Sequence, residues 1–196
     1  MKKKIIITGG LGYIGTELCK LYSGVSWHHE TIVIDNRFIS ERVNQIRNWN
    51  MEFIQGDILD KELVQKYCEN ADVVHHLGGV TDVPRTQSEA SKAQDEKIIE
   101  VGERGTQNIL ESISDKCKII FPSTHVVYEG INEVKTNIME DEQLKPVLSY
   151  SSSKAINENQ LKKSGKNYVI LRLGSVYGYS TDSMRIDIMP NLFSKI

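Results

Sequence analysis

The chain has 196 residues, with 24 Lys and Arg against 26 Asp and Glu and a formal net charge of −2. That length corresponds to one domain, or one domain and a fragment, and is enough to bury a sizeable core. The near-balanced charge excludes bulk attraction to nucleic acid or to an anionic membrane, so any phosphate binding must be local.

Met1-Lys2-Lys3-Lys4 imitates the start of a signal peptide, but glycines arrive after only three isoleucines and no apolar h-region forms. No run is long enough to cross a membrane, and a cytoplasmic location is expected. Lys4-Ile5-Ile6-Ile7 reads as a first strand. Thr8-Gly9-Gly10-Leu11-Gly12-Tyr13-Ile14-Gly15 follows it, with glycines at 9, 12 and 15 and Gly10 as an extra, and Thr16–Leu21 has helical spacing. A strand, a tight glycine turn and a helix start suit a dinucleotide pyrophosphate. The backbone must approach the phosphates, which then sit on the free amides and positive dipole of the helix N-terminus. The order is Gly-x-x-Gly-x-x-Gly rather than Gly-x-Gly-x-x-Gly, and a glycine turn without a ligand is the alternative.

Thr31-Ile32-Val33-Ile34-Asp35 is a second β-branched run, and its acid lies 20 residues past Gly15. A carboxylate there binds both ribose hydroxyls of an adenosine and repels a 2′-phosphate, favouring NAD over NADP. Arg37 softens that preference, and a plain strand-end turn residue is the other reading of Asp35. Residues 37–50 read as a loop with a short helix. Glu52–Ile58 reads as the third strand and its exit, and Asp60 caps a helix to about Cys68. Asp72–Leu77 is a fourth strand, after which Gly78-Gly79 let the backbone pass close to a ligand. His75 and His76 point to opposite faces of it, which makes structural roles preferable to a shared metal. Residues 88–113 carry the longest helical pattern, interrupted by Gly102 and Gly105, where something must approach the backbone. Lys118–Phe121 is the fifth strand, ending at Pro122-Ser123-Thr124. A polar stretch runs from Tyr128 to Val147, a helix from about Tyr150 to Lys163, and a sixth strand over Tyr168–Leu173. This alternation predicts an α/β fold with a doubly wound parallel sheet of Rossmann type. Its ligand edge collects Gly9–Gly15, Asp35, Asp57, Leu77–Gly79 and Thr124. Cys19, Cys68 and Cys117 are too scattered for a disulfide framework or a metal site, and no metal is expected.

Tyr150-Ser151-Ser152-Ser153-Lys154 places tyrosine and lysine one turn apart on one helix face. An ammonium nearby favours a phenol's ionised form. The phenol then exchanges a proton with a substrate hydroxyl or carbonyl while hydride moves to or from nicotinamide. Thr124 adds a hydroxyl for the reacting oxygen. A solvated helix pair is the bland alternative.

At this point the chain resembles the extended short-chain dehydrogenase/reductases of the NAD-dependent nucleotide-sugar epimerase/dehydratase family. The matching segments are Thr8–Gly15, Asp35-Asn36, Gly56-Asp57-Ile58, His76–Gly79, Gly105–Leu110, Ser123-Thr124 through Val127-Tyr128, Tyr150–Lys154, and Leu171-Arg172-Leu173 through Val176-Tyr177-Gly178. They cover almost the whole chain in the family's order. The resemblance implies a Thr124/Tyr150/Lys154 catalytic set and an adenine framed by Asp57 and Ile58. It also implies NAD contacts from Gly9, Gly12, Tyr13, Ile14 and Gly15, from Asp35 and Asn36, and from Leu77, Gly78 and Gly79. Tyr150 and Lys154 complete them at the nicotinamide end. A nucleotide-sugar substrate follows, with no nucleic acid or membrane partner. By the same resemblance, the helices near 88–113 and 150–164 pair with a second subunit in a homodimer. Ile98, Ile109 and Leu161 facing the chain's own core is the alternative.

Four departures from the family pattern stand out. Gly102 replaces an asparagine and is expected to loosen the support of the catalytic lysine. Gly78-Gly79 replace alanines, and Ser175 replaces an asparagine that contacts substrate. The family's smaller substrate domain is largely missing, so residues 1–178 are expected to form the NAD-binding domain and 179–196 the start of a truncated substrate domain, with poor turnover by this chain alone. Family dehydratases carry Thr-Asp-Glu where this chain has Thr124-His125-Val126, which argues against 4,6-dehydration. The branch that makes GDP-fucose needs a cysteine after the serine and a later histidine, and both are missing. A nucleotide-sugar 4-epimerase reaction, or simple reduction, remains. A loop role for His125 is preferred over acid/base work because no partner for it is identifiable. A non-catalytic NAD-binding module is the competing reading.

Overall fold

A computed structural model describes residues 2–26, 28–80, 91–180 and 189–193. Strands β1 (Lys3–Thr8), β2 (His29–Asp35), β3 (Glu52–Gln55), β4 (Val73–His76), β5 (Lys118–Thr124) and β6 (Asn167–Leu173) form one parallel sheet in the order β3-β2-β1-β4-β5-β6. Strand order reverses between β1 and β4, and in such sheets a crevice opens beyond the carboxyl ends at that point. Around the sheet lie α1 (Tyr13–Ser23), α2 (Ser40–Asn48), α3 (Lys61–Cys68), α4 (Lys92–Ser112), α5 (Ser149–Lys163) and the single turn α6 (Met189–Phe193).

The central strands β1, β2, β4 and β5 are largely buried on both faces because both are covered, whereas the edge strand β6 is part-exposed. Ile6, Ile34, Val74, Ile119 and Phe121 pack with Val64, Ile109, Leu110 and Leu161 in one core layer. Ile5, Ile7 and Val33 pack with Leu11, Cys19, Val43 and Ile46 in the other. Ile98, Ile109 and Leu161 are thus buried within the chain itself. The three cysteines are buried and free. Burial pushes the thiols of Cys19 and Cys68 up to about 12 and that of Cys117 to about 11, so they are protonated and inert at neutral pH.

The expected elements are present with shifted ends. Asp60 caps α3, accepting from the Leu63 N–H at 3.1 Å. The expected short helix within 37–50 is a nine-residue helix that buries Val43 and Ile46. α4 starts at Lys92 behind the Ser91 cap, and residues 88–90 lie outside the described residues. A 3-10 helix over His125–Tyr128 carries no apolar period long enough to read in advance. Most of the expected 179–196 segment also lies outside the described residues. Its described ends fold back on α1: Ser180 Oγ donates to Glu17 at 2.6 Å, and Asn191 Nδ2 donates to the Tyr13 hydroxyl at 3.3 Å.

No helix among the described residues is long and apolar enough to cross a membrane. No group of three or more His, Cys, Asp or Glu among them is placed to hold a metal ion.

Candidate active site

A cleft of about 1350 Å³ opens along the carboxyl ends of the strands. Every expected site residue lines it: Gly9, Gly12, Tyr13, Ile14 and Gly15 at the turn, Asp35, Asn36, Asp57 and Ile58 on one side, Leu77–Gly79 in the middle, and Thr124, Tyr150 and Lys154 on the other.

The turn is built by close approach. Gly9 has φ +68°, which L side chains rarely adopt, and its N–H donates to Ile34 O at 2.7 Å. A Cβ on Gly15 would stand 2.4 Å from Gly9 O and 2.6 Å from Gly10 Cα. Gly10 is no extra: a Cβ there would meet Val33 Cγ1 at 2.2 Å. Gly12 is less confined, its nearest neighbour being Gly9 O at 3.1 Å, and as the N-cap of α1 it lines the cleft. Tyr13 uses its hydroxyl elsewhere, donating to Gly178 O at 2.5 Å.

Asp35 is buried at the end of β2. Its Oδ2 accepts from the Leu11 N–H at 3.0 Å, and its Oδ1 from the Arg37 N–H at 3.0 Å and Nε–H at 3.2 Å. Asn36 Nδ2 donates to Asp57 Oδ2 at 3.0 Å, and Leu59 N–H donates to Asp57 Oδ1 at 2.9 Å, fixing the far wall.

His76 accounts for the Leu77–Gly79 turn. Its ring bridges Thr8 Oγ1 at 3.1 Å and Thr106 Oγ1 at 3.0 Å, while the Gly78 N–H donates to the same Thr8 oxygen at 3.0 Å. Burial, with the Lys154 ammonium adding to it, pulls its pKa down to about 3, so it is a neutral strut. His75, on the other face, meets the Tyr22 hydroxyl at 2.7 Å. Both histidines are structural, as their opposite faces imply.

At the chemical end, Thr124 Oγ1 accepts from the Val126 N–H at 3.3 Å, which leaves its proton available to a reacting oxygen. Lys154 Nζ donates to Pro122 O at 2.9 Å and lies 4.4 Å from the Phe121 ring centroid and 5.9 Å from that of Tyr150. Burial pulls the Lys154 ammonium down from 10.5 to about 8. Gly102 is a close-approach point of α4 against α5, where a Cβ would meet Ser153 Oγ at 2.0 Å. Ser153 and a bare glycine thus fill the space together. Gly105 likewise gives way to Ile58, whose Cδ1 would lie 2.4 Å from a Cβ. His125 has the partner the sequence did not reveal: its Nδ1 lies 3.1 Å from Leu173 O, a contact that needs the proton on Nδ1.

Two supporting carboxylates have no sequence signature. Glu129 Oε1 accepts from the N–H groups of Val147 and Leu148, each at 2.8 Å, and from the Ser151 hydroxyl, holding the first turn of α5. Glu158, fully buried, takes Arg172 in a fork (2.7 and 3.0 Å) and Ser123 Oγ at 2.6 Å. Arg172 continues to the Tyr128 hydroxyl and to Glu140 O.

A Rossmann sheet with a glycine turn at one end of its cleft and a Thr/Tyr/Lys set at the other defines a dinucleotide-dependent protein of the short-chain dehydrogenase type. Residues 5–196 match the NAD dependent epimerase/dehydratase family, and the chain belongs to it. NAD is that family's cofactor. The chain is 28% identical over 197 residues to a dTDP-D-glucose 4,6-dehydratase of Dictyostelium discoideum, covering 90% of this chain and 44% of that one. It is 32% identical over 171 residues to a UDP-glucose 4-epimerase of Neisseria meningitidis, covering 81% and 47%. It therefore spans about half the length of these curated relatives. The crystal structure of a UDP-glucuronic acid 4-epimerase from Bacillus cereus in complex with NAD superposes with a TM-score of 0.76 at 27% identity, covering 96% of this chain and 60% of that one.

Proposed function

We propose that this chain is the NAD-binding part of a nucleotide-sugar 4-epimerase. One observation carries the reading. The cleft brings Thr124, Tyr150 and Lys154 to one end, and the two residues after Thr124 are His125 and Val126, not a carboxylate pair. Dehydration needs an acid and a base to move water. Oxidation and re-reduction at one carbon need only a phenol, a hydroxyl donor and a hydride carrier.

When bound, NAD supplies the hydride acceptor and donor. Tyr150 takes the proton of the substrate hydroxyl and returns it when the carbonyl is reduced again. Thr124 donates a hydrogen bond to the same oxygen in both directions. Lys154 supplies positive charge beside the phenol and, anchored on Pro122 O, a donor for the nicotinamide ribose. Asn36, Asp57 and Ile58 border the adenosine end, and the Gly9–Gly15 turn takes the pyrophosphate. Residues 1–178 make up the cofactor domain, and 179–196 lead towards a substrate-gripping part. The exposed side chains of α4 and α5 are available for a homodimer. The intact catalytic set and a firmly seated Lys154 favour an enzyme over a non-catalytic module.

Stopped-flow absorbance at the NADH band, on the longest natural form of the protein with UDP- and dTDP-sugars, tests this. Transient NADH with net conversion at carbon 4 and no loss of water is expected. A dehydrated keto-sugar product, or no hydride transfer with any nucleotide sugar, would overturn it.

A further inference from the structure

Asp35 stands where a carboxylate discriminates NAD from NADP. It does so by accepting from the two adenosine ribose hydroxyls and by repelling a 2′-phosphate. Both functions need lone pairs and charge that are free. An ionised carboxylate offers about four acceptor positions. Here the Leu11 N–H takes one on Oδ2 at 3.0 Å, and the Arg37 N–H and Nε–H take two on Oδ1 at 3.0 and 3.2 Å. Arg37 Nη2 leans on Oδ2 at 3.5 Å as well. Asp35 therefore faces the cleft with its acceptors nearly filled and its charge paired.

The cation that pairs it is itself open to the cleft. Arg37 lines the cleft, its side chain is 54% exposed, and its Nη2 would lie 3.9 Å from a Cβ on Gly12, at the edge of the phosphate turn. A guanidinium presents a planar fork of donors that matches phosphate oxygens in pairs. Arg42, a second cation of the same wall, donates to Leu11 O and so is tied to the same turn.

We infer that this cleft binds NADP as well as NAD, and that Arg37, not Asp35, sets the ratio between them. The inference rests on the cleft being the NAD site. Arg37 keeps its Nε–H on Asp35 and offers its terminal nitrogens to the 2′-phosphate when NADP binds, and stays wholly on the carboxylate when NAD binds.

Isothermal titration calorimetry of NAD and NADP into the nucleotide-free full chain, wild type and Arg37→Ala, tests it. In the wild type the two dissociation constants are expected within about tenfold of each other, one well-placed ionic contact offsetting the residual repulsion. Arg37→Ala is expected to weaken NADP by about tenfold or more while leaving NAD unchanged or tighter, since Asp35 loses the side-chain Nε–H and, from residue 37, keeps only the backbone N–H. NAD binding by the variant also shows that it is folded. Arg37→Lys keeps the charge without the fork and is expected to fall between the two. NAD binding with NADP excluded by about a thousandfold, and that ratio unchanged in Arg37→Ala, would overturn the inference and leave the NAD site standing. Failure of the wild type to bind either nucleotide would overturn both.

Discussion

Replacing Lys154 by methionine is expected to make the protein more stable. Its side chain is part-buried among Phe121, Pro122 and Tyr150, and burial lowers its pKa from 10.5 to about 8. A fall of that size corresponds to about 3 kcal/mol of cost to the folded state. The sign follows from proton counting. Below pH 8 both folded and unfolded chains hold the proton, and the whole cost is present. Between pH 8 and 10.5 the unfolded chain binds the proton that the folded chain has released, so stability rises with pH, and above 10.5 the cost is gone. Two losses offset the gain in the variant: Pro122 O is left without its donor, about 1 kcal/mol, and the contact with Phe121 is lost, about 0.5–1 kcal/mol. Lys154→Met is therefore expected to be about 1–2 kcal/mol more stable than the wild type at pH 7 by urea unfolding. That advantage should shrink and reverse as the pH approaches 10, and hydride transfer should be lost. A variant less stable than the wild type at pH 7, or a difference that stays constant from pH 7 to 10, would refute the reasoning.

Gly15→Ala forces a Cβ to within 2.4 Å of Gly9 O. It should cost about 1–3 kcal/mol and weaken NAD binding at least about tenfold in calorimetry, and unchanged affinity would count against the pyrophosphate assignment. Glu158→Leu leaves the part-buried Arg172 with only the Tyr128 hydroxyl and Glu140 O as partners and should lower stability by about 2–4 kcal/mol in thermal melts, most of it recovered in Glu158→Leu/Arg172→Met. Burial alone would raise the Glu158 carboxyl. The bonds from Arg172 and Ser123 outweigh it and hold the carboxyl below 4.5, so this contribution is complete above that pH and is lost as the pH falls through the lowered value.

Much of the sheet was legible because its strands are continuous β-branched runs, and their alternation with helices leaves few topologies open. The glycine turn, Asp35 and the Tyr150/Lys154 pair were legible because their chemistry acts over short sequence distances. What escaped acts between segments far apart in the chain. Gly10 looks dispensable until β2 places Val33 against it, 23 residues on in sequence. Arg37 reads as a modifier of Asp35, but that it folds back to fill the carboxylate's acceptors is a matter of rotamer. Gly102 reads as a defect by comparison with the family, whereas it is the partner of Ser153 on the facing helix. Glu129 and Glu158 lie in polar stretches with no period, so their partners appear only once β5, α5 and β6 are side by side.

Those two carboxylates explain how the chemical end of the cleft keeps its shape. Thr124 ends β5 and Tyr150 stands in the first turn of α5, and the segment between them holds one 3-10 helix and otherwise irregular chain. Their relative position depends on cross-links. The Lys145 N–H donates to Val127 O at 2.9 Å and the Gly130 N–H donates to Lys145 O at 2.8 Å, while Glu129 holds the amides at the start of α5. On the other side, Glu158 fastens α5 to Ser123, the neighbour of Thr124, and to Arg172 on β6. The phenol, the hydroxyl and the ammonium are thereby set by this chain's own frame before any substrate arrives, the arrangement that electrostatic preorganisation requires. His125 and Val126 sit on the 3-10 helix between the clamps, and neither side chain takes part in them. On the proposed 4-epimerase reading, a carboxylate pair at those two positions is expected to change the reaction without rebuilding the frame that holds Thr124 and Tyr150.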